Sequence, residues 1–118
     1  MRRAAVAALA LLISSACGGT TDLTRGDAAA GAEVYRSNCA GCHGAAAEGA
    51  AEGPPLVHEM YAEEVFPDEA FVDAVRNGAT SDAWDFPLMP AMPGLSSTDI
   101  SDVLAHVRRL QAAGPGGT

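Results

Sequence analysis

Aromatic side chains are scarce in this chain of 118 residues: three Phe, two Tyr and one Trp make up 5% of it. Lysine is absent, and seven arginines face fifteen acids for a net charge of −8 at pH 7. Without clusters of Lys and Arg, partners held through phosphate are excluded, nucleic acid and anionic lipid surfaces alike. A chain of this length buries only about two-thirds of the surface its unfolded form exposes, so it has room for one small domain with a marginal core. Six rings cannot fill that core, and much of the 48% apolar share is alanine, which brings little area to bury. Something besides side chains is expected in the middle, and a cofactor meets that need.

Cysteine is sparse too, at three residues, and their places are informative. Met1-Arg2-Arg3 and the apolar run Ala4 to Ile13 form a basic start followed by about ten apolar residues, short of the roughly 20 that span a bilayer. This reads as a secretory signal over residues 1–16. Ser14-Ser15-Ala16-Cys17-Gly18 then resembles the lipobox of bacterial lipoproteins, with Ser14 where that box prefers Leu, Val or Ile. The resemblance implies a lipidated Cys17 and an anchor to a membrane. Cleavage after Ala16 without lipid, or elsewhere with Cys17 discarded, would still export the chain. Removing residues 1–16 takes away two arginines and no acid, which moves the net charge from −8 to −10.

Residues 17–26 read as a polar tether of Gly, Thr and Asp with no face to bury. Asp27 is placed to cap a helix in which Gly31, Val34 and Tyr35 share one side, leading into Cys39. Gly44 to Gly53 is a loop, and Gly53-Pro54-Pro55-Leu56 is a stiff turn. A partly helical connector spans Val57 to Phe66. Pro67-Asp68-Glu69 opens a helix carrying Phe71, Val72 and Val75, and Asn77-Gly78 stops it. Ala79 to Gly94 is a proline-punctuated loop with two methionines, long enough to suggest function. Ser96-Ser97-Thr98-Asp99 has the spacing of a capping box ahead of Ile100, Val103, Leu104, Val107 and Leu110, with Arg108 and Arg109 favouring the helix C-terminus before Gly114-Pro115. No strand pattern appears, so the chain reads as all-α with three main helices, a domain over 27–112 and a flexible tail over 113–118.

Cys39-Ala40-Gly41-Cys42-His43 is a C-x-x-C-H run, the attachment signature of haem c. On a helical turn, residues three apart share a face, so two thiols can each add across a vinyl group of one porphyrin. The following imidazole can then bind iron through Nε2 while Nδ1–H serves a backbone carbonyl. Three other readings use the same residues: a thioredoxin-like dithiol, which would want a βαβ pattern; a zinc site completed by His58 and His106; and a plain disulfide.

Over Asp27 to about Gln111 the sequence resembles the class I monohaem cytochromes c of bacteria. Asp27 to Tyr35 is similar to the family's N-terminal helix, with Gly31 where the C-terminal helix approaches. Gly53-Pro54-Pro55-Leu56 matches its G-P-x-L turn, Val75-Arg76-Asn77-Gly78 its V-R-N-G, and Met89-Pro90-Ala91-Met92-Pro93-Gly94-Leu95-Ser96 its M-P-x-F stretch before L-S. The resemblance implies a small cytochrome c fold wrapped around one haem bonded to Cys39 and Cys42, with His43 as one axial ligand. It places Met89 as the other, Met92 being the alternative. The Pro54 carbonyl becomes the acceptor for His43 and Leu56 a pocket wall. Tyr35 packs in the pocket beside His106, Met60 fills space, and His58 is a surface histidine; Trp84 is either a donor to a haem propionate or a partly buried loop tryptophan.

The expected function is one-electron transfer by an exported, monomeric carrier on the periplasmic side of a bacterial membrane. Nothing in the chain resembles enzymatic machinery, and the partner would be a redox protein with a basic docking patch, steered by opposite charge. Two alternatives stand beside this: a haem-based gas-binding module with a displaceable methionine, and the subunit through which electrons enter a larger membrane oxidoreductase.

Overall fold

The computed structural model describes residues 21–116, and the regular elements in that span are helical. Asp27 starts the first of them because its carboxylate accepts from the N–H groups of Ala29 and Ala30, donors that a helix N-terminus leaves unserved. Helix α1, Ala28–Asn38, passes almost without a break into the single turn α2, Ala40–His43. A loop follows, containing a 3₁₀ turn at Glu59–Tyr61 that His58 caps by accepting from the Met60 N–H. Helix α3, Asp68–Asn77, buries Phe71, Val72 and Val75. Helix α4, Ser97–Ala113, opens on a reciprocal box: the Ser96 hydroxyl accepts from the Asp99 N–H, and the Asp99 carboxylate accepts from the Ser96 N–H. Those bonds from Ser96 hold the Asp99 carboxyl below the usual carboxylate range.

Helix α1 packs chiefly against α4, and it does so backbone to backbone. A Cβ added at Gly31 would stand 1.8 Å from the Asp102 carbonyl oxygen, so only glycine lets the helices come this close. The Asp102 carboxylate, itself buried, accepts from the Asp27 N–H at 2.7 Å and ties the start of α1 to the same helix. Around the crossing lie Tyr35, Ile100, Val103, Leu104 and Val107, each almost wholly buried. Burial of each contributes about 1.5–3 kcal/mol. His106 packs against Tyr35 with the rings tilted and their centroids 5.3 Å apart, and burial, followed by the charge of Arg109, holds its imidazole below the ordinary histidine value.

Two features depart from the sequence reading. Residues 21–26, read as a free tether, are partly docked: Leu23 packs against the core, and Arg76 donates to the hydroxyls of Thr21 and Ser97. The leader, Cys17 and residues 18–20 lie outside the described residues. Arg108, read as a partner for the helix dipole, instead points into the preceding loops. Its guanidinium donates to the carbonyls of Tyr61 and Phe66 and to Gln111 Oε1 at 2.7–2.8 Å, and it pairs with Asp68 at 2.8 Å. Gln111 adds bonds to the Leu56 and Tyr61 carbonyls, so one turn of α4 holds the whole 56–68 connection. No helix among the described residues is long and apolar enough to cross a membrane.

Candidate functional site

The end of α1 and the turn of α2 form one wall. Cys39 N–H donates to the Tyr35 carbonyl and His43 N–H to the Cys39 carbonyl, so helical geometry carries through Cys39, Cys42 and His43. All three border a cavity of about 340 Å³, at the lower end of the range of small-molecule and cofactor sites. The two sulphurs are not joined to each other. Burial, with Cys42 adding to it, pushes the Cys39 thiol up to about 11, which disfavours the thiolate a dithiol redox centre needs. Among the described residues no three His, Cys, Asp or Glu side chains converge as a metal site, so the zinc reading with His58 and His106 has no geometry.

His43 is 9% exposed, and its Nδ1 lies 2.9 Å from the Pro54 carbonyl oxygen. A carbonyl only accepts, so Nδ1 is the donor of this bond, and of the two neutral tautomers it selects the one whose Nε2 has the lone pair. The loop behind the ring is set by backbone bonds: Gly49 N–H donates to the His43 carbonyl, and the N–H groups of Leu56 and Val57 both donate to the Ala47 carbonyl. Ala47 is fully buried at φ 59, a left-handed position rarely taken by a residue with a Cβ. The result places Pro54 and Leu56 on the cavity wall next to His43. Tyr35, also lining it, donates its hydroxyl to the Gly44 carbonyl at 2.6 Å, and burial pushes its phenol well above the usual value.

The 79–94 loop supplies further lining. Met89 and Met92 both border the cavity and pack against the core. The loop is held by two backbone anchors: Met89 pairs with Ala79, and Met92 N–H donates to the Val75 carbonyl at 2.8 Å. Gly78 makes room for this, with φ +81 and a would-be Cβ 2.7 Å from the Met89 carbonyl oxygen. Trp84 completes the set. Its Nε1 is buried and has no partner, the one such side-chain nitrogen or oxygen among the described residues. A buried donor without an acceptor costs roughly 1–3 kcal/mol, which favours a ligand acceptor beside it.

Cys39, Cys42, His43, Pro54, Leu56, Tyr35, Trp84 and Met89, singled out from sequence, thus face a common space together with Met92. Met60 lines it as well. His58 is half-buried rather than free on the surface, its ring set edge-on to Trp84 with centroids 5.3 Å apart. Sequence reasoning missed Phe71, Val75 and Val107 as lining, because their helical spacing reads as ordinary core. It also missed Gln111, which borders the cavity while bonding the loop carbonyls.

Residues 28–111 match the model of a family described as Cytochrome c. No curated protein matches the chain. Among solved structures it is similar to cytochrome cL from the marine methylotrophic bacterium Methylophaga aminisulfidivorans, at 29% identity and a TM-score of 0.53. That match covers 69% of this chain and 51% of the other, so the chain spans about half the length of that protein. It is also similar to cytochrome c6 from the diatom Phaeodactylum tricornutum, at 24% identity and a TM-score of 0.54 over 76% of this chain and 100% of that one, a likeness of fold.

Proposed function

The chain belongs to the cytochrome c family, and from that premise we propose that it is an exported one-electron carrier whose haem iron is held between His43 and Met89. Membership brings covalently attached haem c, bonded through Cys39 and Cys42 of the C-x-x-C-H run, and the all-α cytochrome c fold. When bound, the haem supplies a reversible one-electron couple between ferric and ferrous iron. The residues present suit such a group. The cavity is apolar, both thiols and the imidazole stand on one wall, and the Trp84 N–H waits for an acceptor of the kind a propionate offers.

The observation that carries the reading is the bond from His43 Nδ1–H to the Pro54 carbonyl. It supports the tautomer protonated at Nδ1, whose Nε2 would be the ligand, and it would hold the ring against rotation as the metal's charge changes. On the 79–94 loop, the Ala79 pairing and Pro90 stiffen the backbone on either side of the Met89 sulphur, a soft donor that favours the ferrous state; Met92 is the alternative. Phe71, Val75 and Val107 exclude water. As a carrier, the protein would use no residue for bond-making. The basic, short apolar leader supports export to the periplasmic side, with signal 1–16, a lipid on Cys17 and a tether from there to the docked residues 21–26, and the surplus of acids supports a partner with a basic patch.

Optical spectroscopy of the purified holoprotein tests the carrier reading. A low-spin ferric spectrum with a sulphur-to-iron charge-transfer band is expected. A high-spin ferrous form that readily takes up carbon monoxide would contradict it and favour gas binding.

A further inference from the structure

Two adjacent prolines leave the turn beside His43 short of hydrogen-bond donors. The peptide joining Pro54 to Pro55 has no N–H, so its one polar group is the carbonyl that accepts from His43 Nδ1 at 2.9 Å. Both rings fix φ at about −65°, and the direction of that carbonyl therefore follows from how the chain is held on either side. Upstream, the Ala50 N–H donates to the Gly53 carbonyl at 3.1 Å. Downstream, the peptide between Leu56 and Val57 is held at both of its polar groups. The Val57 N–H donates to the Ala47 carbonyl at 3.1 Å, and the Leu56 carbonyl accepts from Gln111 Nε2 at 2.9 Å.

Gln111 reaches this turn from α4, 55 residues along the chain, and its amide is used in full. Nε2 donates to the carbonyls of Leu56 and Tyr61, both at 2.9 Å, while Oε1 accepts from Arg108 at 2.8 Å. A flipped amide would set oxygen against two carbonyls and NH2 against a guanidinium, so one orientation serves. Arg108 already holds the Tyr61 carbonyl, whereas among the described residues the bond to Leu56 belongs to Gln111 alone. Gln111 also borders the cavity with His43, Pro54 and Leu56. We infer that Gln111 is a positioning residue for the imidazole of His43: by holding the Leu56 carbonyl it keeps the Pro54 carbonyl on Nδ1–H, and through that bond it sets how strongly Nε2 donates to the haem iron. This rests on the reading of His43 as the iron ligand. A firm acceptor at Nδ1 makes the imidazole a stronger donor and favours ferric iron; a slack one favours ferrous.

Proton NMR of the ferrous, diamagnetic holoprotein reads the bond directly, through exchange of the His43 ring N–H with solvent. Gln111→Leu should speed that exchange by about tenfold or more, because the acceptor is no longer held in place. Poised at the parent's midpoint, the variant should also shift the ferrous-to-ferric ratio about threefold toward ferrous. Val72→Ala serves as the control for lost stability, since Val72 is buried in α3 without bordering the cavity. It should lower Tm while leaving ring exchange and the ratio within about twofold of the parent, after allowance for global opening. Gln111→Glu is of the same size and keeps an oxygen for Arg108, but at neutral pH it offers the two carbonyls only an acceptor, so it should speed ring exchange as well. Unchanged ring exchange in both Gln111 variants would overturn the proposal, even with a shifted ratio, since loss of the amide dipole alone would then explain the shift. Equal acceleration in Val72→Ala would overturn it too, by reducing Gln111 to a source of general stability. Failure of the haem reading itself would show beforehand, as colourless unaltered protein, and would remove the proposal with it.

Discussion

Met89 and Ala79 exchange both of their backbone hydrogen bonds, the Met89 N–H donating to Ala79 at 2.9 Å and the Ala79 N–H to Met89 at 3.0 Å. This pair closes the 79–94 loop onto the end of α3 at the position from which the candidate sulphur leaves the backbone. A ligand thioether must stay in place while the metal's charge changes, and two backbone bonds hold it better than loop packing alone.

Replacing the two loop methionines in turn separates their roles. Met89→Leu should abolish the sulphur-to-iron charge-transfer band and lower the reduction potential by on the order of 0.1 V, a modest part of the range axial ligands command. Met92→Leu should keep the band. Loss of the band in Met92→Leu alone would assign the ligand to Met92.

The contact of Gly31 with Asp102 leaves no space for a methyl group. Gly31→Ala should force α1 from α4 and cost about 1–3 kcal/mol or more, read as a fall in Tm on the order of 10 °C in the holoprotein. An unchanged Tm would show that the helices do not pack this tightly.

How far the site could be read from sequence depended on how local each signal is. The C-x-x-C-H run, the Asp27 cap and the Ser96–Asp99 box are settled within five residues of chain, so composition and spacing were enough. The acceptor for His43 and the lining by Leu56 came from resemblance, because nothing in the spacing of Pro54 says where its carbonyl points. Arg108 was misjudged for the same reason: near a helix C-terminus it has an adequate local role, whereas its partners Tyr61, Phe66 and Asp68 lie 40 or more residues away. Leu23 likewise looked like part of a polar tether until packing gave it a neighbour.

Truncating Arg108 tests that buried network. Arg108→Ala removes the bonds to two loop carbonyls and the pair with a partly buried Asp68, and should destabilise the fold by about 2–3 kcal/mol in chemical denaturation. Faster amide exchange confined to residues 56–68 should accompany it. A loss below about 0.5 kcal/mol would mean that the guanidinium behaves as a surface group.

The depressed imidazole of His106 predicts a pH dependence with a definite sign. Its folded-state pKa lies below its unfolded value of 6.5, so the unfolded chain binds the extra proton first as pH falls. The stability it confers is complete above about pH 6.5 and is lost as pH drops through the folded-state value. The carboxylates with lowered values, Asp22, Glu48 and Asp99, act only at more acidic pH. Tm should therefore fall between pH 7.5 and pH 5.5, and His106→Phe should flatten that slope. An equal slope in the variant would remove His106 as its source.

Covalent attachment is tested most directly by extraction of the purified protein with acidified acetone, followed by intact mass. The pigment should stay with the polypeptide, and the mass should exceed that of the unmodified mature chain by one haem together with the lipid on Cys17, while Cys39→Ala, Cys42→Ala protein should yield its colour to the solvent. Pigment released from the unaltered protein, or a mass without haem, would contradict the account.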